Sequence, residues 1–281
     1  MSDPAAEPDD PAPRWAPTLP PGRPIELPGR GTTFVRHLSA PPGAPTVLLL
    51  HGIRVTADAN WFTSYPALAG RYGMVAIDHR GHGRGIRGDR PVRLSDCADD
   101  AAAALDVLGI ERAIVVGYSM GGPIAQLVWH RHREHTAGMV LCATAHRFRG
   151  VDPVFELGPA LLQRLRATAE PPANRSRVDR AVRAWLTSEL ALTDRRSIME
   201  AGMSLARFDS SAWIGEVDVP HAVVVTTKDA LVLPARQRRL VAALPNPSVH
   251  EAAIDHTGCV GRPAIFVPAL MEALESVARA R

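Results

Sequence analysis

Ile114-Val115-Val116-Gly117-Tyr118-Ser119-Met120-Gly121-Gly122 decides how this chain is read. The apolar, β-branched start predicts a buried strand, and the helix-forming residues after the Gly-x-Ser-x-Gly pentapeptide at 117–121 predict a helix that begins at once. Reversing a strand into a helix within a few residues forces a strained turn at Ser119. The flanking glycines leave room for the close backbone packing that this turn requires. The turn lifts the hydroxyl out of the sheet, near a helix N-terminus, where it can meet a histidine from elsewhere in the chain.

Outward from this stretch, short continuous apolar runs recur at 46–50, 74–77, 113–117, 138–143, 222–226 and 248–254, the pattern of strands buried on both faces. Helical spacing falls between most of them. Residues 94–108 are alanine-rich, with Ser95 as N-cap and Gly109 as the stop, and 123–132 and 235–244 are also helical. Strands alternating with helices predict an α/β fold, a mostly parallel sheet with helices on both faces. Ahead of it, 25–27 and 33–37 flank the turn Pro28-Gly29-Arg30-Gly31 and predict a β-hairpin. Residues 1–24, dense in proline and acidic side chains, are expected to form a disordered tail.

The stretch 149–215 breaks the alternation. It holds helix-like segments near 153–167, 178–190 and 194–206 and no convincing strand, so an inserted helical cap is expected between a first core segment, 25–148, and a second, 216–281. Phe155, Leu161, Leu165, Trp185, Leu190, Met199, Met203 and Phe208 are its apolar residues. They would either line a pocket above Ser119 or form the core of the cap.

A nucleophilic serine needs a base, an acid that orients the base, and two donors for the developing oxyanion. Thr46-Val47-Leu48-Leu49-Leu50 ends in His51-Gly52-Ile53, where the backbone can turn its amides toward the serine. The N–H groups of Ile53 and Met120 are the oxyanion-hole candidates, with Arg54 the alternative one residue on. Asp229 follows the strand at 222–226 and is the candidate acid, and His256, at the end of the last strand, is the candidate base. The order serine, acid, histidine is the one expected for a nucleophile on a strand-to-helix elbow.

These residues, together with Asp78-His79-Arg80-Gly81-His82-Gly83, resemble the α/β-hydrolase superfamily from about Ile25 to the C-terminus. The resemblance implies an eight-stranded sheet whose second strand is antiparallel, a helical cap after the sixth strand, and no cofactor. It is nearest to the capped esterases, perhydrolases and carbon-carbon hydrolases. The dehalogenases and epoxide hydrolases of that superfamily place aspartate at the elbow, where this chain has Ser119. The expected activity is hydrolysis of a small-molecule ester or related acyl compound, the substrate carrying an apolar acyl or aryl part. Perhydrolysis, acyl transfer, carbon-carbon bond hydrolysis and ligand binding without turnover are the alternatives.

Composition narrows the partners. With 281 residues and 46% hydrophobic content the chain can bury a large core. Its net charge of +3 arises from arginines scattered among acidic residues, which argues against nucleic acid. No apolar stretch approaches the ~20 residues of a membrane span. Cys97, Cys142 and Cys259 are too few and too far apart for a disulfide framework or a zinc site, so a reducing, cytoplasmic setting is expected. The tract Trp129-His130-Arg131-His132-Arg133-Glu134-His135 is expected to be an exposed helix end and no metal site, because residues two apart on a helix face different ways. Nothing in the chain separates a monomer from a homodimer.

Overall fold

The computed structural model describes residues 17–148 and 177–280. Eight strands form one sheet: β1 (Gly22–Leu27), β2 (Gly31–Leu38), β3 (Thr46–Leu50), β4 (Gly73–Ile77), β5 (Ala113–Tyr118), β6 (Thr136–Cys142), β7 (His221–Thr226) and β8 (Ser248–Ala252). Their spatial order is β1-β2-β4-β3-β5-β6-β7-β8. β2 is antiparallel to both its neighbours, and all strands from β4 to β8 pair in parallel. The α/β expectation and the antiparallel second strand both hold.

The central strands have no polar face because both faces are covered. On β5, Ala113 and Val115 join one apolar cluster while Ile114, Val116 and Tyr118 join the other; on β3, Leu48 and Leu50 face one way and Val47 and Leu49 the other. The first cluster is closed by the helices Leu94–Val107, Gly121–Arg131 and Pro234–Ala243, and the second by Ala57–Trp61, Tyr65–Leu68 and Pro263–Arg279. Each fully buried valine, leucine or isoleucine among these contributes about 1.5–3 kcal/mol.

Several boundaries differ from expectation for identifiable reasons. β1 begins at Gly22, so 22–24 are strand and not tail; Pro24 is tolerated because β1 is an edge strand whose ladder does not need every N–H. The helix expected from Ser95 starts at Leu94, with Arg93 as N-cap. Its start is fixed from outside, since the N–H of Leu94 donates to Ser204 Oγ (3.1 Å) and that of Val92 to Glu200 Oε2 (3.0 Å). Gly109 does end this helix, at φ +67°, and the N–H of Ile110 donates back to the carbonyl of Leu105 (2.9 Å).

Within 149–215 the helices Arg177–Ala191 and Arg195–Ala206 lie after β6 and before β7. The segment near 153–167, with Phe155, Leu161 and Leu165, lies outside the described residues, as do residues 1–16. The helix Pro263–Arg279, which buries Phe266, Leu270 and Leu274 against the sheet, was not anticipated from the sequence.

Candidate active site

β5 delivers Ser119 into a turn for which the flanking glycines leave room. Ser119 has φ 52°, left-handed for a non-glycine residue, and its N–H donates to the carbonyl of Cys142 (3.0 Å). Its own carbonyl accepts from Thr144 Oγ1 (2.8 Å) and from the N–H of Gly122 (2.9 Å). A Cβ on Gly117 would stand 2.2 Å from the carbonyl oxygen of Gly121, and one on Gly121 would stand 2.1 Å from that of Leu50. Both contacts are with backbone, so neither glycine can be replaced without moving the elbow.

The structure brings the three separate candidates together. Ser119 Oγ lies 2.8 Å from His256 Nε2, and His256 Nδ1 lies 2.7 Å from Asp229 Oδ2. A carboxylate only accepts, so Nδ1 carries the proton and Nε2 is left to accept from the serine hydroxyl. Asp229 is buried. Its Oδ1 accepts from the N–H groups of Leu231 (2.8 Å) and Val232 (3.0 Å), and Oδ2 from Thr226 Oγ1 (2.8 Å) as well as from the imidazole. The loop bearing His256 is tied down by the hydroxyl of Tyr118, which donates to the His256 carbonyl (2.9 Å). The imidazole stays 14% exposed, enough for one edge to meet a bound molecule.

The candidate oxyanion loop packs directly on the serine. A Cβ on Gly52 would lie 3.4 Å from Ser119 Cβ, and Arg54 takes φ 73° as the chain turns away. Among the described residues neither the N–H of Ile53 nor that of Met120 has an acceptor, which leaves both free to serve one. The N–H of Gly52 donates to Asn60 Oδ1 (3.0 Å). The N–H of His79 donates to His51 Nε2 (3.0 Å), so the His51 proton sits on Nδ1 and is donated to the carbonyl of Gly52 (2.7 Å). His51, His79 and His82 form a buried cluster, with ring centroids 4.1 and 5.5 Å from His51. Burial pushes His51 down to about 4 and His82 to about 3, and takes His79 well below its ordinary range, so all three are neutral at pH 7.

Asp78 organises the neighbouring turn, accepting from the N–H of Ala57 (2.8 Å) at Oδ1 and from that of Arg84 (2.9 Å) at Oδ2. The side chains of the histidine tract are engaged within the fold: His130 stacks on Trp213 at 4.2 Å, His132 Nε2 meets Asp99 at 2.8 Å, and His135 Nδ1 donates to the carbonyl of Glu111. No group of side chains suited to a metal ion occurs among the described residues.

A protein-family model described as alpha/beta hydrolase fold matches residues 45–194, more than half the chain. The chain belongs to the α/β-hydrolase family. RutD of Caulobacter vibrioides, provisionally named a carbamate hydrolase, is 30% identical over 261 residues, covering 87% of this α/β hydrolase and 96% of RutD. Epoxide hydrolase B of Mycobacterium tuberculosis is 37% identical over 127 residues, 43% of this chain but only 35% of that protein, so the match spans about a third of the relative's length. The solved enol-lactonase of Burkholderia xenovorans LB400 superposes with a TM-score of 0.74 at 22% identity, over 90% of this chain and 100% of that one, which speaks to the fold.

Some residues around the site of this α/β hydrolase carried no signal in the sequence. Thr226, Gln237, Asn60 and Tyr118 look like ordinary strand or helix residues, and only their tertiary contacts give them work. Likewise Glu189, on the helix Arg177–Ala191, accepts from Thr56 Oγ1 (2.5 Å) beside the buried carboxylates of Asp58 and Asp78 and the guanidinium of Arg84.

Proposed function

We propose that this protein is a serine hydrolase that cleaves a small-molecule carboxylic ester or related acyl compound through an acyl-enzyme. The observation that carries the reading is the unbroken chain Ser119 Oγ, His256 Nε2, His256 Nδ1, Asp229 Oδ2, at 2.8 and 2.7 Å. Ser119 attacks the acyl carbon as His256 takes its proton. Asp229 holds the imidazole in the required tautomer, and the N–H groups of Ile53 and Met120 donate to the developing oxyanion. His256 then protonates the leaving group, and water, activated by the same imidazole, releases the acid and regenerates the serine.

The nucleophile separates this reading from the activity named for one relative. A serine oxygen that opened an epoxide would be left as an ether, with no acyl carbon for water to attack, and the cycle would stop. A serine ester has that carbon and turns over. The helices within 149–215 serve as the cap in this reading, joined to the core where Trp185 meets Phe62 edge to face at 5.0 Å. Three free, buried cysteines fit a cytoplasmic setting.

The test is Ser119→Ala against a panel of short acyl and aryl esters, with a fluorophosphonate probe in parallel. A fall in kcat of about 10⁴–10⁶, with labelling that also disappears in His256→Ala, supports the proposal. Ester turnover that survives Ser119→Ala ends it.

A further inference from the structure

We propose that Thr226 is a positioning residue for the acid and that Gln237 points its hydroxyl, so that a directed hydrogen-bond chain, Gln237 to Thr226 to Asp229, sets how strongly Asp229 holds His256. The inference rests on the triad reading above and deepens it.

The direction of the chain follows from which groups can only donate and which only accept. Backbone N–H of Thr226 lies 2.9 Å from Gln237 Oε1, which fixes that atom as the amide oxygen. The amide nitrogen then lies 2.7 Å from the carbonyl of Val232 and 2.7 Å from Thr226 Oγ1, both of which accept from it, and at a longer 3.4 Å from Asp229 Oδ2 and from the Thr226 carbonyl. With one lone pair of Thr226 Oγ1 taken by Gln237, its proton is directed to Asp229 Oδ2 at 2.8 Å. Gln237 and Thr226 are fully buried, so no solvent competes for these bonds. The same Oδ2 accepts from His256 Nδ1 at 2.7 Å.

The N–H groups of Leu231 and Val232 hold Oδ1 of the carboxylate, and Thr226 holds Oδ2. What the hydroxyl changes is the electron density on Oδ2. A second donor on that oxygen weakens its pull on the imidazole proton, leaving His256 readier to return a proton to the leaving group. The other ionisable or polar groups around the pair are Ser119 and Tyr118 from β5, Lys228 and Asp255 beside the two residues in sequence, and Cys259 below the histidine loop. Asp255 is occupied with the N–H and hydroxyl of Thr257, at 2.9 and 2.8 Å. None of these changes in the variants below.

The experiment compares wild type with Thr226→Val, which keeps the shape and loses the hydroxyl, and Thr226→Ser, which keeps the hydroxyl. Thr226→Ala stands in should valine fail to fold. The readouts are the low-field proton NMR signal of His256 Nδ1–H and the acid limb of kcat/KM against pH. Without the hydroxyl the signal should move downfield and the acid limb to higher pH by about 0.5–1 unit, the worth of one hydrogen bond. Thr226→Ser should restore both. Gln237→Glu, which both draws the Thr226 hydroxyl away from Asp229 and sets a negative charge 3.4 Å from Oδ2, should move them further in the same direction than valine does. A folded Thr226→Val or Thr226→Ala protein with signal and limb at wild-type positions overturns this inference while Ser119 labelling stands. Absence of both labelling and the low-field signal in wild type overturns the hydrolase proposal and this inference with it.

Discussion

Thr56 and Glu189 lie 133 positions apart in the chain and meet at 2.5 Å, the hydroxyl donating to Oε2. Thr56 is also the N-cap of Ala57–Trp61, accepting from the N–H of Ala59 (3.0 Å). One side chain thus closes the helix after the candidate oxyanion loop and ties the helix Arg177–Ala191 to it. Thr56→Val should cost about 1–3 kcal/mol, from the lost cap and the lost hydrogen bond to Glu189, with Thr56→Ser near wild type. Urea denaturation of the pair checks this, and equal midpoints for valine and wild type would refute it.

Arg84 is the charge partner of this region. It reaches Asp58 (2.9 Å), Asp78 (3.1 Å) and Glu189 (3.7 Å), with its guanidinium 4.0 Å from the centroid of the Phe34 ring. Burial by itself raises the Asp58 carboxyl, and hydrogen bonds from Arg36 and Arg84 more than offset it, leaving the group below its ordinary value. Arg84→Ala leaves these three buried carboxylates short of a partner and should destabilise by about 2–3 kcal/mol, discounted for a buried pair because Arg84 reaches solvent. Thermal unfolding at matched pH measures it.

Three neutral histidines beneath the candidate oxyanion loop predict acid sensitivity. His51 and His82 are held near 4 and 3, chiefly by burial, against 6.5 for an unfolded imidazole. Their folded values are depressed, so the unfolded chain binds protons first. Stability is therefore fully present above about pH 6.5 and is lost as pH falls from there toward 4. Denaturant midpoints at pH 7.5, 6 and 5 should decline steadily, and His82→Gln should flatten the decline. A midpoint unchanged down to pH 5 would contradict the neutral cluster.

Gly121→Ala places a methyl group about 2.1 Å from the backbone oxygen of Leu50. No side chain can move to relieve it, so either the elbow or β3 must shift. Loss of fluorophosphonate labelling, together with destabilisation of at least about 1–3 kcal/mol, is expected. Gly261→Ala, with nothing near its Cβ position, is the control that should label normally.

Much of this site was legible in the chain because its key residues sit where local rules are strict. Buried strands of β-branched residues, a glycine on each side of Ser119, and acid and histidine just past strand ends are all short-range patterns. The expectations for Ser119, Asp229 and His256 needed only strand ends and their order. The helix Pro263–Arg279 was less legible, its apolar face being interrupted by Pro268 within a stretch that opens with Pro263. The start of Leu94–Val107 was misplaced because its first N–H is satisfied by Ser204 and that of Val92, just before the cap, by Glu200, each over a hundred residues away.

Sequence by itself determined the sheet, the elbow and the identity of the groups that meet there, since backbone sterics and hydrophobic periodicity act between near neighbours. Only the tertiary structure decided which polar side chains tune those groups: Thr226 and Gln237 on Asp229, Tyr118 on the His256 loop, His51 on Gly52, Glu189 on Thr56. Hydrogen bonds and buried charges depend on distances of a fraction of an ångström between residues far apart in the chain, and those distances exist only once the fold has closed.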